Sequence, residues 1–177
     1  MKKLSSFFIL IIINIFSISI YANDRELANI NLTLSGEVTL PTCGILENES
    51  DKYIDLGVNS TKDLNIIGKT TKLIPIKFNL INCLANSPIT IKFNGAEDVN
   101  DHGLLALNNI NNSAQNIAIE VLNPDQTRLR INSKSINLVI DQEGRLSTNF
   151  YARYVVTKTP VIPGIAQSSA EFTIQYD

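Results

Sequence analysis

The sequence has no tryptophan, one methionine and a single histidine. Without tryptophan it lacks the ring best suited to a flat sugar-binding platform. That weakens the case for a carbohydrate-binding or hydrolytic module. His102 sits in the polar stretch Asn100-Asp101-His102-Gly103. A Ser-His-Asp site would have to use it, and no G-x-S-x-G accompanies it. His102 is therefore read as a surface-loop residue and the chain as a non-enzyme. There are two cysteines, Cys43 and Cys83, with neither C-x-x-C spacing nor a second ligand cluster. No metal or other cofactor is expected. Glu97, Asp98 and Asp101 are close in sequence but lack the spacing of a D-x-D-x-D-G calcium loop. They read as a solvated loop, with weak Ca²⁺ binding as the alternative. Sustained helical periodicity, low-complexity tracts, linkers and fixed-period repeats are all missing too.

What is present begins with an export signal. Lys2 and Lys3 precede an unbroken apolar run from Phe7 to Ile13. Ile15 to Tyr21 extend it with interspersed serines, and Ala22 supplies a small residue at a cleavage point. A basic start, an apolar middle and a small residue at the cut make a secretory signal peptide. The rival reading is a membrane anchor. It suffers from the breaks at Asn14, Ser17 and Ser19, because a span needs about 20 mostly apolar residues. Removal of residues 1–22 leaves 155 residues, the size of one domain. The remainder carries 13 basic and 17 acidic side chains. Mild acidity argues against nucleic acid or an anionic membrane as partner. No later apolar stretch is long enough to span a bilayer. Export also places Cys43 and Cys83 in an oxidising compartment, where an even pair normally closes a disulfide. Two free thiols are the alternative.

Beyond the leader the pattern is strand throughout. Ile30, Leu32 and Leu34 alternate with Asn31, Thr33 and Ser35. Ile74, Ile76, Phe78 and Leu80 share one face, as do Ile89, Ile91 and Phe93 before Asn94-Gly95. Ile117, Ile119 and Val121 repeat the pattern, followed by Ile136, Leu138 and Ile140. Phe150, Ala152, Tyr154 and Val156 form another row, and Ala170, Phe172, Ile174 and Tyr176 the last. Short runs of period two, bounded by Gly, Pro, Asn and Asp, mark half-buried antiparallel strands. Many such strands predict an all-β sandwich or barrel. The run from Ala28 to Leu34 lies ahead of the first cysteine. Either it folds back as the first strand, or it is a loose apolar strand in want of a sheet edge.

Several segments in order resemble the type 1 fimbrial subunits (pilins) of the chaperone–usher pathway. Leu34-Ser35-Gly36-Glu37-Val38 followed by Cys43 is similar to the start of such a pilin. Ile54-Asp55-Leu56-Gly57 resembles the family's hydrophobic-Asp-Leu-Gly segment, and Ile76-Lys77-Phe78-Asn79-Leu80 before Asn82-Cys83 resembles its second-cysteine strand. Ile91 to Gly95, Leu104 to Leu107, Asn116 to Ile119 and Phe150 to Tyr154 follow in the family's order. The end of the chain is the most specific part. Tyr176 is penultimate, and Gly164 is the fourteenth residue counted back from Asp177.

The resemblance implies an incomplete immunoglobulin-like β-sandwich that lacks its last strand. A neighbour completes it by donor-strand exchange. On that pattern residues 23–36 are a donor extension and 37–177 the pilin domain. Ile30, Leu32 and Leu34 would point into a neighbour's groove, with Gly36 in the same register. Gly164, Ala170, Phe172, Ile174, Tyr176 and Asp177 would form the groove strand and the chaperone contact. The implied partners are a periplasmic chaperone, an outer-membrane usher and other pilin subunits. The implied destination, reached through the periplasm, is a fimbrium on the cell surface supporting adhesion. A structural shaft subunit is the expected role, with a minor tip or adaptor pilin as the alternative.

Overall fold

A computed structural model describes residues 43–45 and 50–176. Ile30, Leu32, Leu34, Gly36 and Asp177 lie outside the described residues, as do the leader and the extension. The strands are β1 (Gly44–Ile45), β2 (Ile74–Ile81), β3 (Pro88–Asn94), β4 (Ile117–Leu122), β5 (Arg128–Leu129), β6 (Leu138–Val139), β7 (Leu146–Val156) and β8 (Glu171–Tyr176). They form two antiparallel sheets, ordered β1-β2-β7-β4-β5 and β6-β3-β8.

The alternation in the sequence explains this arrangement. Ile76, Phe78 and Leu80 of β2 and Phe150, Ala152, Tyr154 and Val156 of β7 are buried together. Their intervening residues face outward, as a pleated strand requires. Ile89, Ile91 and Phe93 do the same for the smaller sheet. Phe78 ties the layers together. Its ring meets Phe93 at 5.9 Å, Phe150 at 5.6 Å and Phe172 at 5.0 Å between centroids, edge to face each time. This geometry sets the positive edge of one ring against the negative face of the next.

Three features depart from the sequence pattern. The row Ile136, Leu138 and Ile140 yields only the two-residue β6, because Ser135 and Ile140 take part in other contacts. The backbone N–H of Ile91 donates to Ser135 Oγ at 2.9 Å, and that of Ile140 to the Ser87 carbonyl at 3.1 Å. β4 is buried on both faces instead of one. Leu105 exchanges backbone hydrogen bonds with Ile119 at 2.9 Å in each direction, which lays the preceding loop along β4. That loop is less solvated than its composition suggests. Asp98 is buried and its carboxylate accepts the N–H groups of Asn100 and Asp101 at 3.0 and 3.2 Å. His102 stays at the surface, 3.5 Å from Glu97.

Turns are made by residues that tolerate a left-handed backbone. Asn82, Asn86, Asn112, Asn116 and Asn132 all have positive φ, between 56° and 66°. The Asp141–Arg145 turn needs glycine at Gly144, where φ is +73° and a Cβ would lie 2.7 Å from the Cys83 carbonyl oxygen.

On the outer face of the larger sheet Glu120 is nearly enclosed. Its carboxylate accepts Arg153 Nε–H at 2.7 Å, and Arg128 Nε lies 3.8 Å away. Arg128 in turn reaches Asp101 at 2.7 Å. The Arg128 hydrogen bond holds the Asp101 carboxyl below the usual aspartate range. A buried carboxylate is tolerable only with such partners. Glu120→Ala leaves Arg153 unpaired beside β4, and chemical denaturation should show a loss of about 1.5–3 kcal/mol.

Candidate functional site

β8 is the edge of the smaller sheet. It pairs with β3 from Ile89↔Tyr176 to Asn94↔Glu171, and among the described residues no strand lies on its other side. Its core-facing side chains are correspondingly half-covered. Phe172 and Ile174 pack against the core but are only partly buried, whereas their ladder partners Phe93 and Ile91 are buried. Glu171, Thr173 and Gln175 point to solvent.

A second segment approaches the same floor. Between Asp51 and Gly57 the chain alternates without strand pairing among the described residues. Lys52, Ile54 and Leu56 turn inward, while Tyr53 is 92% exposed. Lys52 Nζ sits 4.8 Å from the centroid of the Phe78 ring, which also receives Phe172. A cation over a ring face is attracted by its quadrupole. The segment and β8 thus reach one buried aromatic side chain. Further along, Tyr154 of β7 donates its hydroxyl to the Ala166 carbonyl. Burial pushes its pKa up, and Asp55 and Tyr53 nearby add to the effect.

The two ends of this region differ. At one end a cavity of about 280 Å³ is lined by Gly57, Leu64, Ala114, Ile117, Tyr154 and Gly164. Here the chain leading into β8 runs against residues 112–115 through Ser113↔Ile165 and Gln115↔Ile162. At the other end Cys43 and Cys83 are joined in a disulfide with 4.2 Å between their Cα atoms. The Tyr176 hydroxyl accepts the Leu84 N–H at 2.9 Å and lies 3.3 Å from Cys43 Sγ. The last described residue of β8 is thereby tied to the disulfide and to the residue that follows it.

The residues singled out at the C-terminus therefore have different structural positions. Phe172, Ile174 and Tyr176 belong to β8. Ala170 immediately precedes it, and Gly164 lies further back in an irregular stretch. Gly164 is required by close approach: a Cβ there would be 2.4 Å from the Asn112 carbonyl oxygen and 2.5 Å from the Ala114 nitrogen. Sequence reading missed Lys52, whose inward position is signalled only by its spacing from Ile54 and Leu56. The link from Tyr176 to the disulfide loop has no local signal at all.

Such a body is a two-sheet antiparallel sandwich of the immunoglobulin-like kind, ending in a strand that among the described residues is paired on one side. A family model described as "Fimbrial protein" matches residues 32–177. The chain belongs to the fimbrial protein family and is a structural subunit of a pilus. It is 34% identical over 154 residues to the fimbrial-like protein FimF of Salmonella typhimurium, covering 87% of this chain and 88% of that protein. It is 27% identical over 147 residues to the type 1 fimbrial subunit of Salmonella typhimurium, covering 80% of each. Among solved structures, a Burkholderia pseudomallei antigen and type I fimbria protein superposes with a TM-score of 0.60 at 27% identity, covering 78% of this chain and 91% of that one. The P pilus rod subunit PapA superposes with a TM-score of 0.65 at 19% identity, covering 76% of this chain and 99% of that one, a likeness of fold.

Gly164→Ala forces backbone apart where three atoms lie within 2.6 Å of the new carbon. A loss of about 1–3 kcal/mol is expected, read as a lower melting temperature and a lower yield of folded protein.

Proposed function

We propose that this subunit polymerises by donor-strand exchange, the extension of one molecule pairing along β8 of the next. The observation that carries this is the half-covered pair Phe172 and Ile174 on an edge strand bonded to β3 alone among the described residues. An open, apolar sheet edge invites another strand. An added strand would gain a backbone ladder with β8, which demands little of its sequence. It would also bring side chains over the floor of Phe78, Phe172, Ile174, Ile54 and Leu56.

The alternating run at residues 28–36 has the chemistry to be that strand. Ile30, Leu32 and Leu34 fall on one face, and Gly36 continues the row where close backbone approach is wanted. Each buried aliphatic contributes roughly 1.5–3 kcal/mol. A slip by one residue would present Asn31, Thr33 and Ser35 instead, so the pairing frame is strongly enforced.

Before assembly the same edge is an aggregation hazard. A periplasmic chaperone would cover it with a strand of its own and grip the terminal carboxylate of Asp177. The outer-membrane usher would then oversee the exchange and deliver the fibre to the cell surface, where it supports adhesion. Cleavage of residues 1–22 frees the extension at 23–36, and 37–177 forms the accepting body.

Two experiments test this reading. A peptide of residues 23–38 added to the variant lacking them should raise its melting temperature in a saturable way, and an unchanged melting curve at saturating peptide would refute the donor assignment. Leu32→Asp should abolish fibres seen by electron microscopy while leaving co-purification with the chaperone intact. Fibres of normal length from that variant would also rule the assignment out.

A further inference from the structure

The sequence contains one Asn-Gly pair, Asn94-Gly95. It lies where β3 ends, beside the start of β8. This dipeptide carries a specific chemical weakness. The backbone nitrogen of the glycine can attack the side-chain carbonyl carbon of the asparagine. A C–N bond closes a five-membered succinimide, and the C–N bond to the side-chain amide breaks with release of ammonia, which takes up the proton of the attacking nitrogen. Water then opens the ring at one carbonyl or the other. The products are aspartate or isoaspartate. Glycine exposes its nitrogen to this reaction because it has no Cβ to obstruct the approach.

Both reacting groups are held by neighbours. The Gly95 N–H donates to Asn132 Oδ1 at 3.1 Å. Asn132 Nδ2 donates to the Gly95 carbonyl at 3.2 Å and to Glu97 Oε1 at 3.0 Å. The backbone N–H of Asn132 donates to the Phe93 carbonyl at 2.8 Å. Asn132 therefore brackets the dipeptide with its main chain and both ends of its amide. It does so from a left-handed backbone with φ 63°, a conformation few side chains accept. The other reactant, the Asn94 side chain, donates its Nδ2 to Thr173 Oγ1 on β8 at 3.1 Å.

We infer that Asn132 is a guard residue: it occupies the Gly95 N–H and keeps Asn94 from cyclising. Damage here would fall on β8. Asn94 pairs directly with Glu171, so conversion to aspartate sets two carboxylates opposite each other in the ladder. Isoaspartate inserts an extra backbone carbon and shifts the strand frame at the end of β3. Either product loosens the strand that forms the open edge, and a surface fibre has no means of replacing a subunit in its middle. The inference depends on the β3–β8 contact and not on strand exchange.

The test is the rate of Asn94 conversion in the full-length subunit purified from cells, aged at mildly alkaline pH and read by peptide mass spectrometry. Asn132→Gly tolerates the positive φ and removes the clamp. Breaking one hydrogen bond of about 1 kcal/mol corresponds to a rate rise of roughly fivefold, so a rise of that order is expected. Asn132→Asp keeps an acceptor for Gly95 N–H and should show a smaller rise. If folded Asn132→Gly protein ages at Asn94 no faster than wild type, the inference is overturned. Should that variant fail to fold, wild type alone decides. The Gly95 amide must be protected from hydrogen exchange, and Asn94 must convert more slowly in the native than in the denatured chain. Equal rates, or an unprotected Gly95 amide, would equally overturn it.

Discussion

Phe172 is pressed onto Phe78 from one side and left half-covered on the other. Much of the molecule is organised around that asymmetry. β8 gains its position from β3, through a continuous ladder, and from the aromatic cluster beneath it. Neither source covers its outer edge. A sheet in this state is stable enough to hold its shape and apolar enough to seek another strand. The proposed exchange rests on this balance.

Among the described residues the larger sheet is the better paired of the two. β7 is the longest strand and is paired on both sides, with β2 and with β4. β4 is buried on both faces and is braced by the loop at Leu105 and by the Glu120–Arg153 pair. These elements contribute Ile117, Ile119, Val121, Phe150, Ala152, Tyr154 and Val156 to the core.

Much of this was legible in the sequence because it depends on period two. The rows at Ile76–Leu80, Ile89–Phe93 and Phe150–Val156 state their inner faces outright, and β2, β3 and β7 follow. β8 was equally plain from Phe172, Ile174 and Tyr176. What could not be read depends on contacts between distant residues. β4 has an alternating core row, but its second face is covered because Leu105 pairs with Ile119, which no local pattern announces. Asp98 looked like part of a solvated acidic loop because its role is to accept backbone N–H groups, and composition does not record that. Lys52 occupies an inward position because its ammonium is drawn to the Phe78 ring, an attraction that composition does not record. Gly164 was marked by its distance from the terminus, whereas its physical reason is the backbone of Asn112–Ala114 across a gap too narrow for a methyl group.

The disulfide also decides how a fibre would bear load. Tension applied ahead of Cys43 passes through sulfur to Cys83, just beyond the end of β2, without travelling through the long loop between them. Beyond Cys83 the chain leads to β3, so the whole loop, β1 and β2 included, is spared the pull. The stretch from Asp51 to Gly57, without a strand partner among the described residues, lies inside that loop and is bypassed with it. A single covalent bridge thus turns that stretch into slack that the rope never draws on.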